Sequence, residues 1–403
     1  MISKNMADRL VSGSLIRKMF EEGNRLKSLY GEDSVFDFSI GNPDLEPPEE
    51  VSRALCSLAL SPTPGMHGYM SNSGYLSTRT AVADSLSTPG IIVPPEAICM
   101  TVGAAGAMNA VLKSVLDPGD EVILLSPFFM EYTNYIENHC GIPVIVPTEP
   151  DTFLPDFQGI SAAIGPKTKA IVINSPNNPS GVLYSEETLR KLNDLILSVD
   201  HLIHVISDEP YRELVYDGKH APRTMDWIRN LIICYSWSKS LSLPGERIGY
   251  AAVNPNHEDF DLLSRAIVLS NRILGSVNAP AMFQKVVEFA IHAKSDISRY
   301  ETRRNQLYEI VKQAGFSVNR PDGAFYLFVR SPEDDMAFCR KCAEYRLLVV
   351  PGSAFRCPGY FRLAFCVSEK TIFQSEKAFR EVGKYYGLCT ESSDEIITKS
   401  SPD

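Results

Sequence analysis

The chain has 403 residues, 44% of them hydrophobic and 22% charged, with a formal net charge of −10. That length can bury a sizeable core in one large or two medium domains, and the acidic balance argues against nucleic acid or an anionic membrane surface as the main partner. No apolar run approaches the roughly 20 residues of a membrane helix, and charges interrupt the N-terminal stretch where a secretory signal has its apolar centre, so the cytoplasm is the expected compartment.

Residues 1–30 read as an amphipathic helix ending before Gly31, and residues 36–48 as a short strand running into a Gly/Pro loop. From about residue 97 the pattern becomes regular. Apolar runs recur at 97–102, 121–125, 142–146, 169–173, 203–207, 231–236 and 248–252, mostly continuous rather than alternating, as expected of strands covered on both faces. Helical stretches such as 104–116 and 185–199 lie between them, and turn signals such as DPGD at 117–120 punctuate the series. The spacing predicts an α/β layer fold with a mainly parallel sheet of seven strands. After about residue 280 comes a long helical stretch over 281–314. FSVN, GAFYLFV, a helix near 334–345, LLVV, FRLAF and a final helix follow, which reads as a smaller α+β domain. The expected division is 45–280 for the large domain and 1–44 with 281–390 for the small one. Residues 391–403 form a polar tail, expected to be disordered.

Nine cysteines are scattered, an odd count that gives no complete disulfide framework. Cys339 and Cys342 form a CxxC without a second ligand pair, and the seven histidines show no HxxxH spacing, so no metal is expected.

Four segments carry chemistry. In TVGAAGAMNAV, 101–111, a strand meets a glycine turn and a helix. Gly103 lets the backbone come close to a ligand, and the N–H groups of Ala104 and Ala105 open that helix and favour a phosphate, although a helix-packing glycine gives the same pattern. INSPNNPSG, 173–181, follows a strand, at the end where α/β sheets bind ligands, and reads equally as an ordinary turn. ISDEPYREL, 206–214, puts Asp208 at a strand's carboxyl end, where an acid can also be a helix N-cap. SWSKSLSLPGERIGY, 236–250, places Lys239 among small hydroxyl residues after a strand, a costly position for a lysine unless it is paired or chemically used.

The joint order of these segments resembles the class I/II aminotransferases of pyridoxal-phosphate (PLP) fold type I, over roughly residues 15–388. The resemblance implies PLP as the cofactor, with Lys239 holding it as a Schiff base and shuttling the Cα proton. Asp208 would keep the pyridinium nitrogen protonated so that the ring acts as an electron sink. Tyr211 and Asn178 would donate to the ring's phenolate oxygen, and Phe129 would stack on the ring, where the family often has Tyr or Trp. Gly103, Ala104, Ala105, Ser236, Ser238 and Arg247 would hold the phosphate. Tyr69 matches a family tyrosine that reaches the phosphate of the neighbouring subunit, which implies a homodimer with shared active sites. Arg362, in GYFRLAF, matches the arginine that grips the substrate α-carboxylate, and Gly41 matches a loop glycine near the substrate.

Substrate choice turns on Arg272. The dicarboxylate-specific branch of the family has an arginine from the neighbouring subunit a little over thirty residues after the lysine and four before a serine. Arg272 lies 33 residues after Lys239 and four before Ser276, which makes aspartate or glutamate the leading substrates. Arg265 is a weaker rival, and a helix-capping role is the plain alternative for Arg272. The expected reaction is transfer of an amino group to a 2-oxo acid. The scaffold is also that of carbon–sulfur β-lyases and PLP-dependent oxidases, and of non-catalytic regulator domains, so fold alone does not choose among them.

Overall fold

The structure, a computed structural model, describes residues 2–12, 15–61 and 64–389. The expected tail, 391–403, lies outside the described residues, as do residues 13 and 14 within the first expected helix. The chain divides into two compact units. The larger comprises Asn42–Ser298 and Pro321–Ala324, and the smaller comprises Met1–Gly41, Arg299–Arg320 and Phe325–Asp403.

Strand β1 (Phe36–Asp37) belongs to the smaller unit. The larger unit is built on β2 (Ile98–Thr101), β3 (Glu121–Ser126), β4 (Ile142–Pro147), β5 (Thr168–Asn174), β6 (His204–Asp208), β7 (Leu231–Ser236) and β8 (Gly249–Val253), in the spatial order β2-β8-β7-β6-β5-β3-β4. Only β8 runs antiparallel to its neighbours. The continuous apolar runs follow from burial on both faces. Ile123, Ile171, Val205 and Ile233 pack on one side with residues of the helices Glu186–Leu197 and Ala281–Phe289. Val122, Val172, Ile206 and Cys234 pack on the other with residues of Gly103–Val115 and Phe260–Ile273. Burying each such side chain stabilises the fold by about 1.5–3 kcal/mol. β4 is the exception: it is an edge strand, and Ile142 and Ile145 stay exposed.

The smaller unit resumes with β9 (Tyr326–Arg330), β10 (Leu347–Leu348), β11 (Val350–Pro351) and β12 (Tyr360–Ala364). β1 pairs with β10 in parallel, and β11-β12-β9 form an antiparallel sheet. Cys339 and Cys342 are buried free thiols on the helix Asp335–Glu344.

The long helix expected over 281–314 is two helices, Ala281–Phe289 and Ile297–Gln313. The break is held by Ser295, whose backbone N–H and hydroxyl both donate to the carbonyl of Ser240, at 3.3 and 2.8 Å. The division between units falls after Ser298 rather than after residue 280, because Val286 and Val287 of the first helix belong to the core of the larger unit.

Candidate active site

The sheet register brings the chemistry-bearing segments to one edge. Asn174 ends β5 and pairs with Asp208, which ends β6, and Asp208 pairs with Cys234 near the end of β7. Gly249, the first residue of β8, pairs with both Thr101 at the end of β2 and Ser236 at the end of β7. Glycine is required there: a Cβ on Gly249 would lie 2.3 Å from the Tyr235 carbonyl oxygen and 2.8 Å from the Gly103 carbonyl carbon.

Gly103 then opens the helix Gly103–Val115 with φ +73°, and Val102 provides no side-chain cap. The first-turn N–H groups at Gly103, Ala104 and Ala105 therefore face outward from the helix start, with the positive end of its dipole. A Cβ on Gly103 would lie 2.8 Å from Nη2 of Arg247, so the guanidinium packs directly over the glycine. Arg247 itself sits in the left-handed region at φ +52°, a conformation that costs a non-glycine residue about 1–3 kcal/mol. Its Nη1 donates to the Pro244 carbonyl at 2.9 Å, which helps hold that strained turn. Ser236 and Ser238 are buried, and Lys239 is half-buried on the one-turn helix Trp237–Ser240.

Asp208 is buried, and its two carboxylate oxygens differ. Oδ2 accepts a hydrogen bond from the Tyr132 hydroxyl at 2.5 Å, whereas Oδ1 is buried with no hydrogen-bond partner. Burial pushes the Asp208 carboxyl up to about 7; the Tyr132 hydrogen bond opposes that rise and the neighbouring Glu209 charge adds to it. An acceptor left bare at this depth costs about 1–3 kcal/mol unless something donates to it.

Two residues of this cluster were not singled out from sequence. Tyr132 lies on the helix Glu131–Asn138, its ring perpendicular to that of half-buried Phe129 at 5.7 Å. Asn174 ties two loops together: its Nδ2 donates to the Asp208 carbonyl at 2.8 Å, and its Oδ1 accepts from the Asn178 N–H at 2.7 Å. Asn178 and Tyr211 are both buried.

Tyr69 is 97% exposed. Arg272 is exposed in the last turn of Phe260–Ile273, where a cation complements the helix dipole. Arg265, on the same helix, donates from Nε to the Asp261 carbonyl at 3.2 Å. In the smaller unit Arg362 is buried between two rings, its guanidinium carbon 4.5 Å from the centre of Tyr326 and 4.8 Å from that of Phe355. Its Nη2 donates to the Ser39 carbonyl at 2.7 Å. Gly41 has a packing reason of its own, since a Cβ there would lie 2.0 Å from the Tyr326 hydroxyl. Among the described residues no group of three or more His, Cys, Asp or Glu side chains could hold a metal ion.

Comparison with known proteins gives a consistent picture. The family model "Aminotransferase class I and II" matches residues 33–374. An aspartate/prephenate aminotransferase of Thermus thermophilus is 32% identical over 353 residues, covering 85% of this chain and 89% of that one. An aspartate aminotransferase of Thermotoga maritima is 30% identical over 377 residues, covering 92% and 97%. Among solved structures, an aminotransferase of Eubacterium rectale superposes with a TM-score of 0.92 at 39% identity, covering 96% of this chain and 100% of that one. The Thermus thermophilus aspartate aminotransferase solved with maleate gives 0.84 at 28% identity, covering 95% and 99%.

Proposed function

The chain belongs to the class I and II aminotransferases, and we propose that it moves the amino group of aspartate or glutamate to a 2-oxo acid, with Lys239 as the reacting lysine. The fold is that of PLP fold type I, and pyridoxal 5′-phosphate is the cofactor. The single observation that carries the assignment of residues is the bare, buried Oδ1 of Asp208. A pyridinium N–H is the donor it lacks, and a cation there favours the ionised carboxylate. The uncapped helix start at Gly103, with the Arg247 guanidinium packed over it, likewise suits a phosphate dianion.

Gly103, Ala104, Ala105, Ser236, Ser238 and Arg247 would hold the phosphate, Phe129 the ring face, and Asn178 with Tyr211 the ring hydroxyl. When bound, the cofactor supplies a carbonyl that takes up the amine and a ring that accepts the electrons of a deprotonated Cα. The chain does the rest. Lys239 Nζ would take the proton from the substrate Cα and hold it for delivery to the cofactor's carbonyl carbon. Asp208, through its bare Oδ1, would keep the ring nitrogen protonated. Arg362 would bind the substrate α-carboxylate, its planar guanidinium oriented by the rings of Tyr326 and Phe355. The names of the relatives support aspartate as donor, and Arg272 is the group we assign to the distal carboxylate.

Arg272 would act across a homodimer. Leu262, Leu269 and Ile273 are all more than half exposed and share one stripe of the helix Phe260–Ile273, with Arg265 and Arg272 along its flank. An apolar stripe of this kind fits a second copy, and exposed Tyr69 is available to reach it. No helix among the described residues is long and apolar enough to cross a membrane. Nine free thiols suit a reducing compartment, which supports the cytoplasm.

The test is a half-reaction. Loaded enzyme given L-aspartate without an acceptor should yield at most one equivalent of 2-oxo acid per site and no ammonia. Steady release of ammonia would make it a lyase, and unchanged turnover after Lys239→Ala would remove the lysine assignment.

A further inference from the structure

Beside the segments that carry Asp208 and Lys239, the larger unit holds a cavity of about 520 Å³ that the reaction does not use. Glu209 and Ser240, the residues immediately after Asp208 and Lys239, line it, with Arg212, Glu213, Arg223, Tyr235 and Lys294. Its volume is in the range of small-molecule sites.

The charges in this cavity are arranged by depth. Glu209 is 2% exposed, and Arg212 donates to it at 3.1 Å and to Glu213 at 3.3 Å. Two carboxylates thus share one guanidinium, an excess of one negative charge inside. Oε1 of Glu209 accepts from Ser207 and Thr224, and Oε1 of Glu213 accepts twice from Arg212. Oε2 of each has a single donor, Arg212 for Glu209 and the Tyr235 hydroxyl for Glu213, so each can accept again. The positive groups lie elsewhere on the lining. Nε of Arg223 is buried without a hydrogen-bond acceptor; Asp226 Oδ2, at 3.5 Å, is its nearest carboxylate partner. Lys294 is exposed. Asp226 leaves the Arg223 Nε without a hydrogen bond, so that donor can still serve a second anion, and the carboxylate excess asks for a cation.

We infer that this cavity is a second binding site, separate from the catalytic one, for a small zwitterion of the amino-acid class. The ammonium sits toward Oε2 of Glu209 and Glu213, and the carboxylate faces Arg223 Nε and Lys294. Because Glu209 and Ser240 adjoin Asp208 and Lys239 in the chain, an occupant here touches the segments that carry the reaction.

The inference is tested by calorimetry on the loaded enzyme with L-alanine, propionate and propylamine as probes. Alanine should occupy a second site per chain that survives Lys239→Ala, with propionate and propylamine each at least tenfold weaker there. Arg223→Gln and Glu213→Gln should each weaken that site about tenfold or more. Lys294→Ala, at an exposed position that leaves folding intact, should weaken it several-fold. A single site per chain, loss of all alanine binding in Lys239→Ala, or a second site indifferent to Arg223→Gln and Lys294→Ala would overturn it.

Discussion

Tyr132 donates its hydroxyl hydrogen to one oxygen of Asp208 at 2.5 Å, and the other oxygen of that carboxylate is buried with nothing to accept from. The tyrosine therefore fixes the rotation of the carboxylate and leaves Oδ1 as the one oxygen available to a ring nitrogen. It also opposes the burial that holds the Asp208 carboxyl near pH 7.

Tyr132→Phe should remove that orientation without opening a cavity. Because one hydrogen bond to a charged group is worth about 1.5–3 kcal/mol, the dissociation constant for the cofactor should rise roughly tenfold or more. The pH at which the bound cofactor's absorbance changes should move as well. Equilibrium dialysis and a spectral titration check it, and unaltered values for both would make Tyr132 a core aromatic only.

Arg247 and Gly103 form a second linked pair. Arg247, exposed in the structure, would give the phosphate a charge-assisted hydrogen bond, so Arg247→Ala should weaken cofactor binding by about 1.5–3 kcal/mol. Gly103→Ala should also impair binding although it deletes no charge. The new Cβ would meet Nη2 of Arg247 at 2.8 Å, on a backbone at φ +73° that costs an alanine about 1–2 kcal/mol. Pyridoxal phosphate titrations of both variants measure this, and a Gly103→Ala protein with native affinity would place the guanidinium elsewhere.

The strand ends were legible because each announces itself locally. Asp208, Asn178 and Lys239 follow apolar runs whose continuity reflects burial on both faces. Tyr132 was not, because it is 76 residues from Asp208 and sits on a short helix where an aromatic reads as core. Asn174 looked like the close of a strand, and only the β5–β6 register shows that its side chain bridges two loops. The break at 290–296 was hidden for the same reason. AIHAKS is helix-compatible, and what stops the helix is the distant Ser240 carbonyl that captures Ser295.

Acid sensitivity should come in part from His204 and His257, which stack at 5.1 Å and share a hydrogen bond of 2.9 Å. His257 Nδ1 accepts from the Asp259 N–H at 3.0 Å, so its Nε2 carries the hydrogen that His204 Nδ1 accepts. Burial pulls His204 down to about 3, helped by His257 and Lys169. Burial also pulls His257 down to about 4, against Asp259 and Glu258. Both folded values lie below the unfolded value of about 6.5. The unfolded chain therefore binds protons first, and stability present above pH 6.5 is lost as the pH falls toward 4. The loss is about 3 kcal/mol for the first proton. Urea midpoints at pH 7 and pH 4.5 should differ more in the native protein than in a His204→Gln, His257→Gln variant, and equal differences in the two proteins would remove the pair from the account.

Substrate choice gives the last prediction. Arg272 is exposed at the C-terminal turn of Phe260–Ile273, beside the stripe of Leu262, Leu269 and Ile273. If that stripe meets a second copy, Arg272 is carried to the partner's site, where it can pair with a carboxylate two or three carbons beyond the substrate Cα. Losing a desolvated counter-charge costs about 2–5 kcal/mol. Arg272→Ala should therefore lower kcat/KM for aspartate by roughly thirtyfold or more while changing alanine little. Leu269→Glu should give monomers by sedimentation, with the aspartate preference lost together with the dimer. A capping arginine behaves differently. Its removal costs the helix about 0.3–1 kcal/mol of stability and lowers both substrates equally, or neither. Equal losses on aspartate and alanine would leave Arg272 a helix-end cation and the distal carboxylate without a partner.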